Sequence, residues 1–142
     1  LLALAVNLCI ALKPWDREAF FERLHQSCLT PEFRDRLQRA RQIDKVDQLA
    51  GLGNGIEALE SVVTAIASFA LTPESFEQTI GNVIHLGGDT DTLAAMAGAL
   101  SGAYLGIGGI PKRLLNLLES TPKGRDYLSK LADQLYQVHQ RK

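Results

Sequence analysis

Leu86-Gly87-Gly88-Asp89-Thr90-Asp91-Thr92 is the stretch on which the reading of this chain turns. Two carboxylates and two hydroxyls stand in four consecutive residues, a glycine pair precedes them, and an uncharged run follows from Leu93. Two residues apart in a regular helix, side chains point to nearly opposite sides. Asp89 and Asp91 can converge only where a loop turns into a helix. Gly87 and Gly88 supply the turn, and the apolar period begins at Leu93, so residues 90–92 are expected at a helix start. Neighbouring carboxylates repel each other, and something positive should offset that repulsion. A hard cation bound through oxygen is one answer. Mg²⁺ suits an all-oxygen site with few protein ligands, and Zn²⁺ suits it poorly because no Cys or His lies nearby in useful spacing. The other answer is an Asp/Thr capping cluster without a metal.

The run after the turn has no charged residue from Leu93 to Ile110. It is not read as a membrane span. Five glycines interrupt it, Gly108-Gly109-Ile110-Pro111 ends it, and the helical part to Gly106 is about 20 Å long at ~1.5 Å per residue. Gly98, Gly102 and Gly106 recur every four residues, which leaves one face bare for a neighbouring helix. A buried central helix is expected here.

Helical periodicity extends through the rest of the chain, with no alternation of period two. Residues 1–12 form an apolar helix with no cap before it, as expected of a chain that begins inside a helix of a longer protein. Lys13-Pro14-Trp15 breaks it, and Asp16 can cap the next helix, which turns Phe20, Phe21 and Leu24 inward. Thr-Pro at residues 30, 72 and 121 is read as a cap followed by proline at the first helical position. Four arginines (Arg34, Arg36, Arg39 and Arg41), interleaved with acids, suggest a solvated face. Gly51-Leu52-Gly53-Asn54-Gly55 is a loop whose backbone can come close to another group. A helix over residues 57–71 follows, with Leu59, Val62, Val63, Ile66 and Phe69 inward, then one carrying Phe76, Ile80, Val83 and Ile84 inward. A short helix over 111–119 and a last one with a docking stripe of Leu128, Leu131, Leu135 and Val138 close the chain.

Composition bounds the function. The chain has 142 residues, a net charge of −1 and 46% hydrophobic residues, enough for one ordinary core. Mixed charge argues against a general electrostatic grip on nucleic acid or an acidic membrane. Cys9 and Cys28 fall outside any CxxC spacing and read as reduced core thiols. His25, His85 and His139 are assigned no role.

Leu86–Thr92, followed by Ala94-Ala95-Met96-Ala97-Gly98-Ala99, closely resembles the carboxyl-terminal motif of the ADP-ribosylglycohydrolase family. Leu52-Gly53-Asn54-Gly55-Ile56, Glu60-Ser61-Val62 and Thr64-Ala65-Ile66 fit the same family in order and spacing, with details nearest its serine-directed vertebrate branch. The resemblance covers essentially the whole chain, but only the second half of the family protein. It implies an all-α fold, an orthogonal helical bundle of which residues 1–142 form the C-terminal part. It implies that Asp89, Asp91 and Thr92 are ligands in a site for two Mg²⁺ ions, that Asn54, Gly55 and Ile56 line the ADP-ribose cleft, and that Thr90 shapes the turn. The implied reaction is Mg²⁺-dependent hydrolysis of the O-glycosidic bond of ADP-ribose, on serine, in poly(ADP-ribose) or in O-acetyl-ADP-ribose. The family's second acidic cluster, a glutamate and a phosphate loop belong to the amino-terminal half and are not in this sequence. The expected partner is therefore that N-terminal half, which would also bring any general acid or base. Alone, the chain should bind Mg²⁺ weakly and turn nothing over; complete, it should be monomeric, without direct nucleic-acid or membrane contact. Cytoplasm, nucleus and mitochondrial matrix are the compartments implied. The alternatives are an arginine-directed relative, a non-catalytic crystallin-like relative and a plain helical scaffold.

Overall fold

The structure, a computed structural model, describes residues 1–140. Among them every regular element is helical. In chain order these are α1 (Leu2–Ala11), α2 (Arg17–Ser27), α3 (Pro31–Gln42), a 3-10 turn (Val46–Leu52), α4 (Ala58–Leu71), α5 (Phe76–Leu86), α6 (Thr90–Leu105), a second 3-10 turn (Ile107–Gly109), α7 (Lys112–Leu115) and α8 (Arg125–Gln140). No helix among them is long and apolar enough to cross a membrane. The all-α expectation holds. The chain divides into two compact units, the first Leu1–Gly109 and the second starting at Ile110.

The first unit is built around α4. Ser61 and every residue from Val63 to Ala70 are buried, and α3, α5, α6 and the first 3-10 turn pack against it. A helix buried around its circumference must satisfy its own hydroxyls. Ser61 Oγ donates to the carbonyl of Glu57 (3.1 Å), Thr64 Oγ1 to that of Gly53 (2.7 Å) and Ser68 Oγ to that of Thr79 (2.8 Å). At one end, Phe69 joins Trp15, Phe20 and Tyr104 in an aromatic cluster, with Trp15–Phe20 and Trp15–Phe69 centroids both 4.9 Å apart. Ala65, Val83, Leu93 and Ala97 form a second apolar cluster where α4, α5 and α6 meet.

The central helix is thus α4, and α6 has a wetter surface than its lack of charge suggests. α6 buries Leu93, Ala97, Leu100 and Ser101, while Asp91, Thr92, Ala95 and Ala99 stay exposed. Alanine and glycine carry no charge, yet they lose little by facing water. The glycine series serves two purposes. A Cβ on Gly98 would stand 3.2 Å from Ile80 Cδ1, so α5 approaches there, whereas Gly106 (φ 72°) ends the helix with its N–H on the Gly102 carbonyl (2.9 Å).

Asp16 caps α2 as expected, accepting from the Ala19 N–H (3.0 Å), and Phe20, Phe21 and Leu24 are buried. The Thr-Pro reading holds at residue 30, where Thr30 is the N-cap and Pro31 opens α3, though the Thr30 side chain makes no capping bond. It needs correction at residues 72 and 121. Thr72 Oγ1 instead lies 3.1 Å from Thr79 Oγ1 and accepts from Asn82 Nδ2 (3.2 Å), so Ser75 caps α5 three residues later. After Thr121-Pro122 the chain makes a further turn, Gly124 N–H to Thr121 carbonyl (2.8 Å), before α8 begins. On α5, Thr79 and Val83 are buried and Ile84 is 56% exposed, so the inward stripe is rotated from the expected one. Gly51 and Leu52 belong to the 3-10 turn, which shifts the expected loop from residues 51–55 to residues 53–57. The arginine face is solvated as expected, with Arg34, Arg39 and Arg41 exposed and Arg36 half-buried, but it also makes specific bonds. Arg34 Nε donates to the Cys28 carbonyl (2.9 Å), Arg36 reaches the Leu52 carbonyl and Arg41 Nε bonds Glu18 (2.8 Å), so three of the four tie α3 to other segments.

In the second unit α7 is a four-residue helix, shorter than expected, and α8 carries its apolar residues at helical spacing with none of them buried.

Cys9 and Cys28 are free and buried. Burial pushes the Cys9 thiol from its ordinary value of 9.0 up to about 12. The folded state therefore favours the neutral thiol. Stability from this group is complete below pH 9.0 and is lost as pH rises toward about 12, because the unfolded thiol ionises first. Cys9 is expected to resist a thiol-specific reagent at about pH 8 until urea unfolds the chain. Labelling at the rate of an exposed cysteine would contradict its burial.

Candidate metal and substrate site

The acidic turn sits where α5 ends and α6 begins. Gly87 (φ 77°) closes α5 with its N–H on the Ile84 carbonyl (3.2 Å), and Gly88 (φ 72°) redirects the chain. Both take the left-handed region that side chains resist. Asp89 then stands at the N-cap position of α6, with Asp91 and Thr92 exposed in its first turn. The Asp89 and Asp91 carboxyls are neighbours. Asp91 is held below the ordinary carboxylate range, first by a hydrogen bond with the Asp89 carboxyl and then by the Thr92 N–H, which donates to Asp91 Oδ1 (2.9 Å).

A carboxylate at the N-cap position normally accepts from an N–H one turn on. Asp89 makes no such bond. Its carboxyl lies beside that of Asp91. The donor set there is carboxylate and hydroxyl, all oxygen, which suits Mg²⁺. Among the described residues no three His, Cys, Asp or Glu side chains converge as a metal-binding group. Asp89, Asp91 and Thr92 would thus hold one side of an ion and leave the remaining positions to water or to other protein.

The loop at residues 53–55 lies directly against this turn. The Asp89 N–H donates to the Asn54 carbonyl (2.8 Å), and Asn54 Nδ2 donates to the Leu86 carbonyl (3.2 Å). The two backbones are so close that a Cβ on Gly88 would stand 2.2 Å from the Asn54 carbonyl oxygen. Asn54 and Gly55 are half-buried, whereas Ile56 is 84% exposed, a large aliphatic side chain beside a polar turn. His85 is exposed on α5.

Two residues with no expected role take part. Glu60 Oε2 accepts from the Gly55 N–H (2.8 Å), and Thr64 Oγ1 donates to the Gly53 carbonyl (2.7 Å). They stand four residues apart on α4, on one face, and hold the loop at both ends. The signal was their polarity in an otherwise apolar helix.

The chain matches the family described as ADP-ribosylglycohydrolase over residues 1–142. It is 38% identical over 120 residues to ADP-ribosylhydrolase ARH3 of Danio rerio, an alignment covering 73% of this chain and 31% of that protein. It is 37% identical over 109 residues to the Homo sapiens protein of the same name, covering 70% and 29% respectively. It is 32% identical over 92 residues to ADP-ribosylarginine hydrolase Tri1 of Serratia proteamaculans, covering 65% and 23%. The alignments span about three-tenths of the length of the ARH3 relatives. An all-helical chain with paired aspartates at the head of α6, clamped by a glycine-asparagine-glycine loop and matched from its first residue to its last, belongs to the ADP-ribosylglycohydrolase family.

Proposed function

We propose that this chain supplies one side of a Mg²⁺ site in an ADP-ribosyl hydrolase, with Asp89, Asp91 and Thr92 as the ligands. The observation that carries the reading is the Asp89 carboxyl. It occupies a capping position without capping, and adjoins Asp91 instead. A pure capping cluster would direct that oxygen at the helix N–H groups. The relatives named ADP-ribosylhydrolase point to ADP-ribose as the group bound.

On this reading each residue has a defined task. Asp89 and Asp91 present oxygens at one point, and the Thr92 N–H fixes the Asp91 carboxylate from behind. Asn54 and Gly55 form the floor beside that point, and exposed Ile56 offers an apolar wall for a ring of the substrate. Bound Mg²⁺ would supply charge stabilisation for the departing oxygen and a more acidic water. No proton-transferring role falls to a residue of this chain. A general acid or base, if a side chain serves, comes from the remaining part of the family protein. The bond broken joins the anomeric carbon of ADP-ribose to an oxygen, on serine, in poly(ADP-ribose) or in O-acetyl-ADP-ribose, and water takes the place of the leaving group.

The second reading is an arginine-directed enzyme, which the likeness to ADP-ribosylarginine hydrolase Tri1 favours. Assay of the complete protein on serine-linked and arginine-linked ADP-ribose separates the two. Mg²⁺-dependent release from serine supports the first reading, and release from arginine alone replaces it with the second. Calorimetric titration of the complete protein with MgCl₂ tests the site itself. Heat that disappears in Asp89→Ala is expected, and no Asp89-dependent heat would leave the turn a structural element.

A further inference from the structure

The loop at residues 53–55 touches the acidic turn through its backbone, so whatever fixes the loop fixes the turn. Glu60 is the third residue of α4, where a glutamate commonly reaches back to the N–H of its own cap residue. Here it reaches past the cap, Glu57, to the N–H of Gly55. Its side chain also fills the space under Gly53, where a Cβ would stand 2.5 Å from Glu60 Cδ. Thr64, one turn on and fully buried, holds the Gly53 carbonyl. Between these two anchors the Asn54 carbonyl points at the Asp89 N–H.

We infer that Glu60 and Thr64 are positioning residues for the Asp89–Asp91 pair, acting through the Gly53-Asn54-Gly55 loop. They touch neither carboxylate. They set where the Asn54 carbonyl stands, and that carbonyl sets Asp89, the N-cap residue of α6. The Mg²⁺ consequence rests on the function proposed above, whereas the mechanical link does not, and the test separates them.

The test uses the complete protein carrying this segment, in the forms Glu60→Ala and Glu60→Gln. A glutamine oxygen can still accept from the Gly55 N–H; alanine cannot. In Glu60→Ala the amide of Asp89 is expected to exchange with deuterium at least ~10-fold faster, with amides of α2 and α3 unchanged. The dissociation constant for MgCl₂ by calorimetry should rise ~10-fold or more, the usual consequence of losing a group that orients a ligand. Glu60→Gln should return both readings to within about threefold of the parent. An Asp89 amide unaltered in Glu60→Ala, or a glutamine variant as impaired as the alanine one, overturns the inference. If Glu60→Ala does not fold, Thr64→Ser against Thr64→Val decides by the same two readings, since serine keeps the hydroxyl. Absence of Mg²⁺ heat in the parent protein would end the metal reading and leave the link to be judged on Asp89 exchange alone.

Discussion

Asp91→Asn in the complete protein is expected to abolish most turnover while leaving the fold in place. Loss of a residue that merely orients a metal ligand costs roughly 10–100-fold, so loss of a ligand itself should exceed that. The fold should persist because Asp91 is exposed, and an asparagine oxygen can still accept the Thr92 N–H. Circular dichroism should match the parent, and MgCl₂ titration should show weakened binding alongside the lost rate. Near-normal turnover would remove Asp91 from the ligand set. Unfolding of the variant would make its role structural.

Gly88→Val should disrupt the turn more severely than any other single change considered. Gly88 has φ 72°, a region that costs a residue with a side chain about 1–3 kcal/mol. The added Cβ would also stand 2.2 Å from a backbone oxygen, that of Asn54, which cannot swing aside as a side chain can. Gly87 provides the internal control. Its φ is equally left-handed, at 77°, but no heavy atom lies within 4 Å of a Cβ placed there. Gly87→Ala should therefore lose only the conformational part, about 1–3 kcal/mol in urea melts. Gly88→Val should lose more, together with the bond from the Asp89 N–H to Asn54. Equal losses in the two variants would mean that the close approach of the two backbones has no energetic weight.

What could be read from the residues was what local chemistry decides. Asp16 capped because a carboxylate three residues before an N–H has no competitor nearby. The acidic turn was legible because two glycines must precede a sharp change of direction and Leu93 had to start an apolar period. Thr72-Pro73 misled because proline marks where a helix is permitted to begin, while buried Thr79 and half-buried Asn82 took the Thr72 hydroxyl. The choice of α4 over α6 as the centre depended on which helix is surrounded, and an uncharged run does not record that. The contact of Asn54 with Leu86 and Asp89 spans more than thirty residues of sequence. No periodicity signals such a contact. Glu60 and Thr64 were visible as polar residues in the family-like segment, but their task emerges only once the loop is seen between them.

The bond between the Asp89 N–H and the Asn54 carbonyl is made by main chain on both sides. Alanine scanning deletes side chains, so it would pass over this contact and rank residue 54 below its true weight. An ester in place of the peptide linkage between residues 88 and 89, which removes that N–H and weakens the Gly88 carbonyl as an acceptor, would reveal it.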